Sequence, residues 1–382
     1  LCEEVNLNLA YRWFCKLSLT DPVPDHSTFS KNRHGRFRES DLLRKVFETV
    51  LARCIAEGVV GGEAFAVDAS IIKADANREG GGPGVDGLPP EILHRRAVQE
   101  YLATLDEAAF GGSTPVEPKF LSPVDPAARW TRTYKDGAAK YSYSVNYLID
   151  CKHAVIMDVE GTTAVRTAEV HSTRVMLDRV EARNHIKPDR LSGDTAYGSA
   201  EMLNWLVNER GIEPHIPVFD KSFRKDGIFE RSDFTFDAED DRYVCPAGKS
   251  LRRYRVAGRA AKAKPPRDGL YRYRARKTDC DDCPLKHRCC PKEPMRKILR
   301  SVHEEARDVA RRIMASEAYV TSRRERKKVE MLFAHLKRIL KLDRLRLRGP
   351  NGAKDEFLLA ATAQNLRKLA KLSIQGALPA AG

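Results

Sequence analysis

Three acidic residues occur where a metal-dependent site could use them. Asp68 lies in an apolar, β-rich stretch, Asp194 ends another short strand, and Glu330 lies in the basic segment RKKVEMLFAHLKR. Carboxylates that hold two divalent metal ions support phosphodiester hydrolysis, because the metals activate a water or a 3′-hydroxyl and stabilise the leaving oxygen. Mg²⁺ takes few protein oxygens beside water and phosphate, so three carboxylates suffice. Any one of these acids alone could be a cap or a surface group, and only the set indicates a site.

Glu330 also has a simpler interpretation. Arg326 lies four residues before it, so an ion pair within one helix would explain the acid. On a helix of 3.6 residues per turn, positions 323, 326, 330 and 337 share one side. The adjoining side is apolar and contains Val329, Leu332, Phe333, Leu336 and Leu340. This pattern predicts a helix that packs on a sheet, directs Glu330 towards the metals and lines a DNA path with the cations Arg323, Arg326, Lys337 and Arg338.

The order of the predicted elements places these residues in an α/β core with a mixed sheet. A strand around Asp68 precedes a hairpin whose two halves are split by CKH at 151–153. A helix near 169–183, the strand ending at Asp194, a second helix and the strand EPHIPVF follow. Helices precede this core up to about Gly58 and resume after about His303.

A group of cysteines lies in a basic, Arg- and Tyr-rich segment before the Glu330 helix. Cys280 and Cys283 form a C-x-x-C pair, Cys289 and Cys290 follow, and Cys245 precedes them. These thiolates suffice for a tetrahedral structural Zn²⁺ site, with Cys289 or Cys290 as the fourth ligand. Free or redox-active thiols explain the same residues, because the segment has no second C-x-x-C.

The composition favours a nucleic-acid partner and argues against a membrane protein. The chain has 382 residues, 42% of them hydrophobic, and a formal net charge of +14. Length and apolar content suffice for two or three domains, and the basic excess is typical of proteins that bind nucleic acid. No apolar run approaches the roughly 18 residues that span a bilayer. We therefore expect a cytoplasmic, nucleoid-associated protein; the sequence begins at Leu1, not Met, so its natural start can lie upstream.

Several motifs in order resemble the DDE transposases of bacterial insertion sequences. The family's helical N-terminal region resembles 7–33, its first acidic strand resembles FAVDASII, and its second resembles LSGDTAYGS. Its third motif reads Y-x2-R-x3-E-x6-K in one large class, and Arg326, Glu330 and Lys337 match it. Arg323 occupies the tyrosine position of that motif, and the nearest aromatic residue is Tyr319.

This resemblance implies a ribonuclease H-like mixed sheet flanked by helices, with an all-helical N-terminal domain and a Cys-containing basic insertion. The expected divisions are a DNA-binding helical domain at 1–60, the first part of the core at 61–220 with an irregular insertion at 78–138, the basic insertion at 221–296 and a helical completion of the core at 297–375.

The implied activity is DNA transposition. Asp68, Asp194 and Glu330 would hold Mg²⁺ or Mn²⁺, cut the element ends and join the 3′-hydroxyl to target DNA. The implied partners are double-stranded DNA, as terminal inverted repeats and target, and a second copy of the chain in the DNA complex. Two alternatives are a nuclease of the same core and a domesticated DNA-binding protein without catalysis.

Overall fold

The computed structural model describes residues 2–35, 40–77, 90–106, 120–132, 137–219, 227–254, 266 and 269–374. Its helices are α1 Cys2–Leu7, α2 Leu9–Phe14, α3 His26–His34, α4 Leu42–Ala56, α5 Arg96–Asp106, α6 Arg166–Asn184, α7 Ala200–Asn204, α8 Lys277–Asp281, α9 Lys286–Cys289, α10 Glu304–Met314, α11 Glu317–Arg338 and α12 Gly349–Ile374. Its strands are β1 Ala64–Lys73, β2 Arg129–Thr131, β3 Lys140–Asp150, β4 Ile156–Thr163, β5 Arg190–Ser192, β6 Glu213–His215, β7 Thr235–Asp237, β8 Arg242–Val244, β9 Ser250–Arg253, β10 Leu270–Arg274 and β11 Lys297–Ser301.

The first sheet is mixed, as the sequence predicts. β1 is its centre and pairs antiparallel with β3 on one side and parallel with β5 on the other. β4 and β2 extend the antiparallel side through β3, and β6 extends the parallel side through β5. Phe65, Ala66 and Val67 are fully buried, because helices cover both faces of a central strand.

Four helices of the first core enclose this sheet. α6 packs on β3 and β4, α12 packs on β4 and on α4, and α11 packs on β1. A Cβ on Gly161 of β4 would lie 3.0 Å from the ring of Phe357, so α12 approaches the strand closely at this glycine. The predicted hairpin is confirmed, with residues 151–155 between β3 and β4.

The N-terminal helices differ in how they pack. α4 contributes Phe47, Leu51 and Cys54 to the same core as β1. Asp25 caps α3 and accepts a hydrogen bond from the Ser27 backbone N–H at 2.7 Å. The large apolar side chains at the end of α2 lie outside the core, since the exposed fractions of Trp13 and Phe14 are 80% and 79%. The separate DNA-binding domain at 1–60 stays a prediction.

The basic segment after β6 forms a second sheet. β7 to β11 are antiparallel and adjacent in chain order. Tyr243, Leu251 and Tyr273 form its buried centre, each at most 2% exposed. The basic insertion therefore has a core of its own, because alternation along short strands directs their apolar side chains to one face although basic residues separate them.

The predicted irregular insertion at 78–138 is described in part. Its helix is α5, which begins at Arg96, and residues 90–92 form a separate 3₁₀ turn before it. Residues 78–89, 107–119 and 133–136 lie outside the described part of the chain.

Candidate active site

Asp68 lies within β1, and Asp194 lies just beyond the end of the adjacent parallel strand β5. Ala66 of β1 pairs with Ser192 of β5, and each acid lies two residues beyond its member of this pair. Side chains two residues apart share a face of a strand, and the carboxyl ends of parallel strands lie at one edge of a sheet. Both acids therefore lie near the point where β5 ends beside β1, and the charge of Asp194 acts on Asp68.

The chain turns sharply after Asp194. The Asp194 carboxylate accepts a hydrogen bond from the Ala196 backbone N–H at 2.7 Å and so caps the turn Thr195–Tyr197. At Gly198 the backbone passes so close to the next loop that a Cβ would lie 1.9 Å from the Pro217 carbonyl oxygen. This glycine is required for the turn that positions Asp194.

The helix α11 carries Glu330 and packs on the sheet through its apolar side. Val329, Phe333 and Leu336 are buried, as the spacing predicts. The Phe333 ring stacks on Tyr147 with centroids 4.9 Å apart, and Tyr147 is the residue of β3 that pairs with Asp68. The aromatic pair thus fixes this part of α11 beside the first acid.

Polar contacts fix the direction of α11. Glu325 forms an ion pair with Arg190 at the start of β5, with an N–O distance of 3.2 Å. The Lys328 ammonium donates to the backbone carbonyl of Cys151 in the β3–β4 turn. Beyond the helix, the Leu345 backbone N–H donates to the carbonyl of Lys73 at 2.7 Å. The helix therefore runs along β1 from its start to its end.

Arg326 lies between the first and third acids. Its guanidinium nitrogens are 3.5 Å from a carboxylate oxygen of Asp68 and 3.5 Å from one of Glu330. Glu330 therefore makes the intrahelical ion pair that its sequence position predicts. The same arginine also links Glu330 to Asp68, so the ion pair and the proximity to the candidate site occur together.

The electrostatics of Asp68 reflect crowding of negative charge. Burial, with repulsion by Asp194 and Glu330, raises the pKa of Asp68 to about 6, although the Ala69 backbone hydrogen bond and Arg326 oppose this rise. The Asp68 side chain is 19% exposed and that of Glu330 is 54% exposed. The charges of Asp194 and Glu330 thus act on Asp68, and Glu330 is the more exposed of the two acids that Arg326 contacts.

The donor set fits a hard divalent cation in its chemistry. Asp68, Asp194 and Glu330 offer carboxylate oxygens, which Mg²⁺ and Mn²⁺ prefer, and Arg326 supplies one positive charge against their three negative charges. Within the described residues, no group of three or more His, Cys, Asp or Glu side chains is arranged to hold a metal ion.

Two residues beside the acids were missed in the sequence. Tyr197 is buried, its hydroxyl has no hydrogen-bond partner among the described residues, and burial together with the charges of Asp68, Glu169 and Asp194 raises its pKa well above the usual value. Glu169 of α6 accepts a hydrogen bond from the Ser144 hydroxyl at 2.7 Å. The motif DTAYGS could have indicated Tyr197, since a phenol three residues after a candidate acid is close to that acid in a turn. No motif in the sequence indicated Glu169.

The predicted DNA-contacting cations all lie on α11. Arg323 and Arg338 are exposed, and Arg326 faces Asp68. Lys337 is half-buried, and burial followed by repulsion from Lys140 lowers its pKa. Their contacts with DNA stay a prediction.

The cysteines of the second sheet lie in or near its core. Cys280, Cys289 and Cys290 are buried there, whereas Cys245 and Cys283 are half-buried. Burial raises the pKa of the Cys289 thiol to about 12, and all five are free thiols. The structural Zn²⁺ site stays a prediction, and no sufficient ligand group occurs in the described part of the chain.

None of the described helices combines the length and apolar character needed to cross a membrane.

Two segments of the chain match models of transposase families. Residues 244–370, which contain most of the second sheet and all of α11, match the transposase DDE domain. Residues 1–35 match a further transposase domain. No match was found among curated proteins or among solved structures. DDE transposases generally depend on divalent metal ions and act on DNA. The two matches confirm the resemblance derived from the motifs, since both segments are similar to transposase domains.

Proposed function

We propose that the chain cuts and joins DNA at the acidic edge formed by Asp68, Asp194 and Glu330. The observation that carries this proposal is the register of β1 and β5, which brings two carboxylates to one edge while α11 presents the third. The strand order β4-β3-β1-β5-β6, antiparallel on one side of β1 and parallel on the other, supports a ribonuclease H-like core.

The three carboxylates would hold Mg²⁺ or Mn²⁺. Bound there, such ions would supply an activated water or 3′-hydroxyl and stabilise the leaving oxygen of a phosphodiester. Asp194 is oriented by its own turn, and Arg326 restrains Asp68 and Glu330 relative to each other. The raised pKa of Asp68 means that this acid must lose its proton before it can serve as a ligand.

The cations of α11 would position the DNA backbone. Arg323 and Arg338 are exposed on the helix that carries Glu330, and Lys337 lies further along it. Phosphate contacts of this kind fix the position of a duplex without reading its sequence. The proposed substrates are the terminal inverted repeats and the target DNA, and two copies of the chain would act together, one at each element end.

Metal binding tests the site directly. Titration with Mn²⁺, followed by electron paramagnetic resonance, should show binding to the wild-type chain and loss of binding in Glu330→Gln. The matched control is Glu325→Gln, because Glu325 lies on the same helix but pairs with Arg190. Equal binding by Glu330→Gln and wild type would refute the role of Glu330.

A joining assay separates transposase from nuclease. A duplex that carries a pre-cut element end is incubated with the chain, Mg²⁺ and a supercoiled plasmid. Covalent transfer of the end to the plasmid supports a transposase, whereas cutting without joining supports a nuclease of the same core. Binding without either reaction would support a DNA-binding protein that has lost catalysis.

A further inference from the structure

The second sheet has one apolar face and one basic face. Tyr243, Leu251, Tyr273 and Ile298 form the apolar face and are at most 3% exposed. Successive side chains of a strand alternate between faces, so the residues between them lie on the opposite face. That face carries Arg242, Arg252, Arg274 and Lys297.

The strand register aligns these four cations in one row. Arg242 is opposite Arg252, Arg252 is opposite Arg274, and Arg274 is opposite Lys297. Neighbouring strands are about 4.8 Å apart, so the row crosses four strands with like charges side by side. Like charges directly opposite each other destabilise a sheet. Such a row indicates a negatively charged partner.

The chain itself neutralises the two ends of this row. Arg242 forms ion pairs with Asp237 at 3.1 Å and Asp240 at 2.9 Å. Lys297 forms an ion pair with Glu293 at 2.8 Å. The cations of the middle are therefore the ones that remain to be neutralised.

Arg252 and Arg274 form the middle of the row. Arg252 is exposed and makes no ion pair with any carboxylate of the described residues. The Arg274 guanidinium lies 3.1 Å from the centroid of the Tyr254 ring, which leaves its positive charge without a carboxylate in the same part of the chain. These two cations mark the centre of the uncompensated charge.

A groove of about 620 Å³ begins at these two arginines. Among the described residues that line it, five of eight are basic and none is acidic. Arg276 and Lys277, at the start of α8, are exposed on its wall, and Tyr254 is 48% exposed. The groove thus presents cations from two strands and from one helix to solvent.

We infer that this groove, lined by Arg252, Arg274, Arg276 and Lys277, binds the phosphate backbone of double-stranded DNA. This inference rests on the proposed function, because it takes DNA as the partner. The groove itself is remote in sequence from the three acids. Guanidinium groups bind phosphate oxygens in a bidentate manner. Cations distributed over several elements suit a partner with phosphates in series, and such contacts are independent of base sequence.

The test removes two exposed cations of the groove. The variant Arg252→Gln/Arg276→Gln of the full chain is compared with wild type for binding to a labelled mixed-sequence DNA duplex by fluorescence anisotropy across salt concentrations. Two lost phosphate contacts should reduce the slope of log affinity against log salt by about 1.8 and weaken binding roughly tenfold or more at physiological salt. The matched control Lys297→Gln, which removes a cation of the same row that already contacts Glu293, should leave the slope unchanged. Both substituted arginines are exposed, so the thermal midpoint should stay that of wild type.

The outcomes separate this surface from the active site. An unchanged slope in the double variant refutes the inference, even if Asp194→Asn abolishes cleavage and so supports the proposed function. A reduced slope in a chain that shows no metal-dependent cleavage supports the inference and refutes the proposed function. If the double variant binds a polyglutamate peptide more weakly than wild type does but binds DNA equally well, the groove is a site for an acidic protein. That result would also refute the inference.

Discussion

Two carboxylates, the partly buried Asp68 and the buried Glu304, occupy opposite electrostatic environments. At Asp68, burial and two neighbouring acids raise the pKa to about 6, and the cation Arg326 compensates only in part. At Glu304, burial also raises the pKa, but the hydrogen bonds and charges of nearby arginines outweigh it and bring the pKa to about 2. Burial alone therefore does not determine how a carboxylate behaves.

The environment of Glu304 indicates a structural role. Its side chain is 1% exposed and contacts Arg307 at 3.0 Å and Arg311 at 2.9 Å within α10. It also contacts Arg231, which precedes the second sheet. This acid connects the two parts of the molecule through cations that the chain supplies.

The comparison teaches which acid is available to an external cation. Three arginines of the chain neutralise the charge of Glu304. The group of Asp68, Asp194 and Glu330, in contrast, has an excess of negative charge. An uncompensated cluster of carboxylates costs stability in the metal-free chain. That cost supports the proposal that the Asp68 cluster serves chemistry and the Glu304 cluster serves the fold.

The largest expected effect is on catalysis. Asp194→Asn should reduce metal-dependent DNA cleavage about a thousandfold, because it removes a ligand charge that stabilises the transition state. The asparagine oxygen can still accept the hydrogen bond from Ala196, so stability should not fall. Cleavage assays and urea denaturation of the same preparation measure both. A parallel loss of stability would make Asp194 a structural residue like Glu304.

The second prediction concerns the structural acid. Glu304→Gln should lower the free energy of unfolding by about 3 kcal/mol at neutral pH, because the folded-state pKa lies near 2 against an ordinary value of 4.5. The pKa is lowered by folding, so this stabilisation is complete above pH 4.5 and is lost as the pH falls towards 2. Urea denaturation at several pH values measures it. The adjacent exposed Glu305→Gln is the control and should have little effect.

The third prediction has the opposite sign. Asp68→Asn should raise the free energy of unfolding of the metal-free chain by about 2 kcal/mol above pH 6, because folding raises the pKa of Asp68 from 3.8 to about 6. Ionisation of Asp68 destabilises the folded state as the pH rises through this window, so wild type and variant should converge below pH 4. Thermal denaturation with a chelator measures this difference. A variant less stable than wild type at pH 8 would contradict the electrostatic interpretation.

The smallest expected effect tests Arg326. Arg326→Gln should raise the pKa of Asp68 further and reduce stability at pH 8 by about 1 kcal/mol or less, because the ion pairs are 3.5 Å long and partly exposed. A carboxyl NMR titration of Asp68 measures the pKa. Arg323→Gln, on the exposed side of the same helix, should leave that pKa unchanged, and an equal shift in both variants would indicate a general charge effect.

Local patterns in the sequence predicted much of the first core. The alternation in 140–163 predicted the β3–β4 hairpin, and the apolar spacing of Val329, Phe333 and Leu336 predicted the buried side of α11. Gly211 ends the helical segment after Asp194 with a backbone φ of +61°, a left-handed conformation that favours glycine. These features depend on periodicity and on single residues, so the sequence alone carries them.

The second sheet was missed for a physical reason. Its strands have three to five residues, too short for alternation to be distinguished from a basic loop that contains tyrosines. Its core forms only when Tyr243, Leu251 and Tyr273 meet across three strands. The sequence pattern of the cysteines predicts a metal site, and nothing in the local sequence indicates that three of them also pack in this core.

The sequence by itself determined which residues could do chemistry: three acids in two strands and a helix, a basic helix beside the third, and an excess of cations for a polyanion. Only the tertiary structure decided their relations. The pairing of Ala66 with Ser192 brings Asp68 and Asp194 to one edge, and the register of β8 to β11 aligns four cations in a row. Residues more than a hundred positions apart meet through strand pairing and helix packing, and no local preference of the chain encodes those contacts.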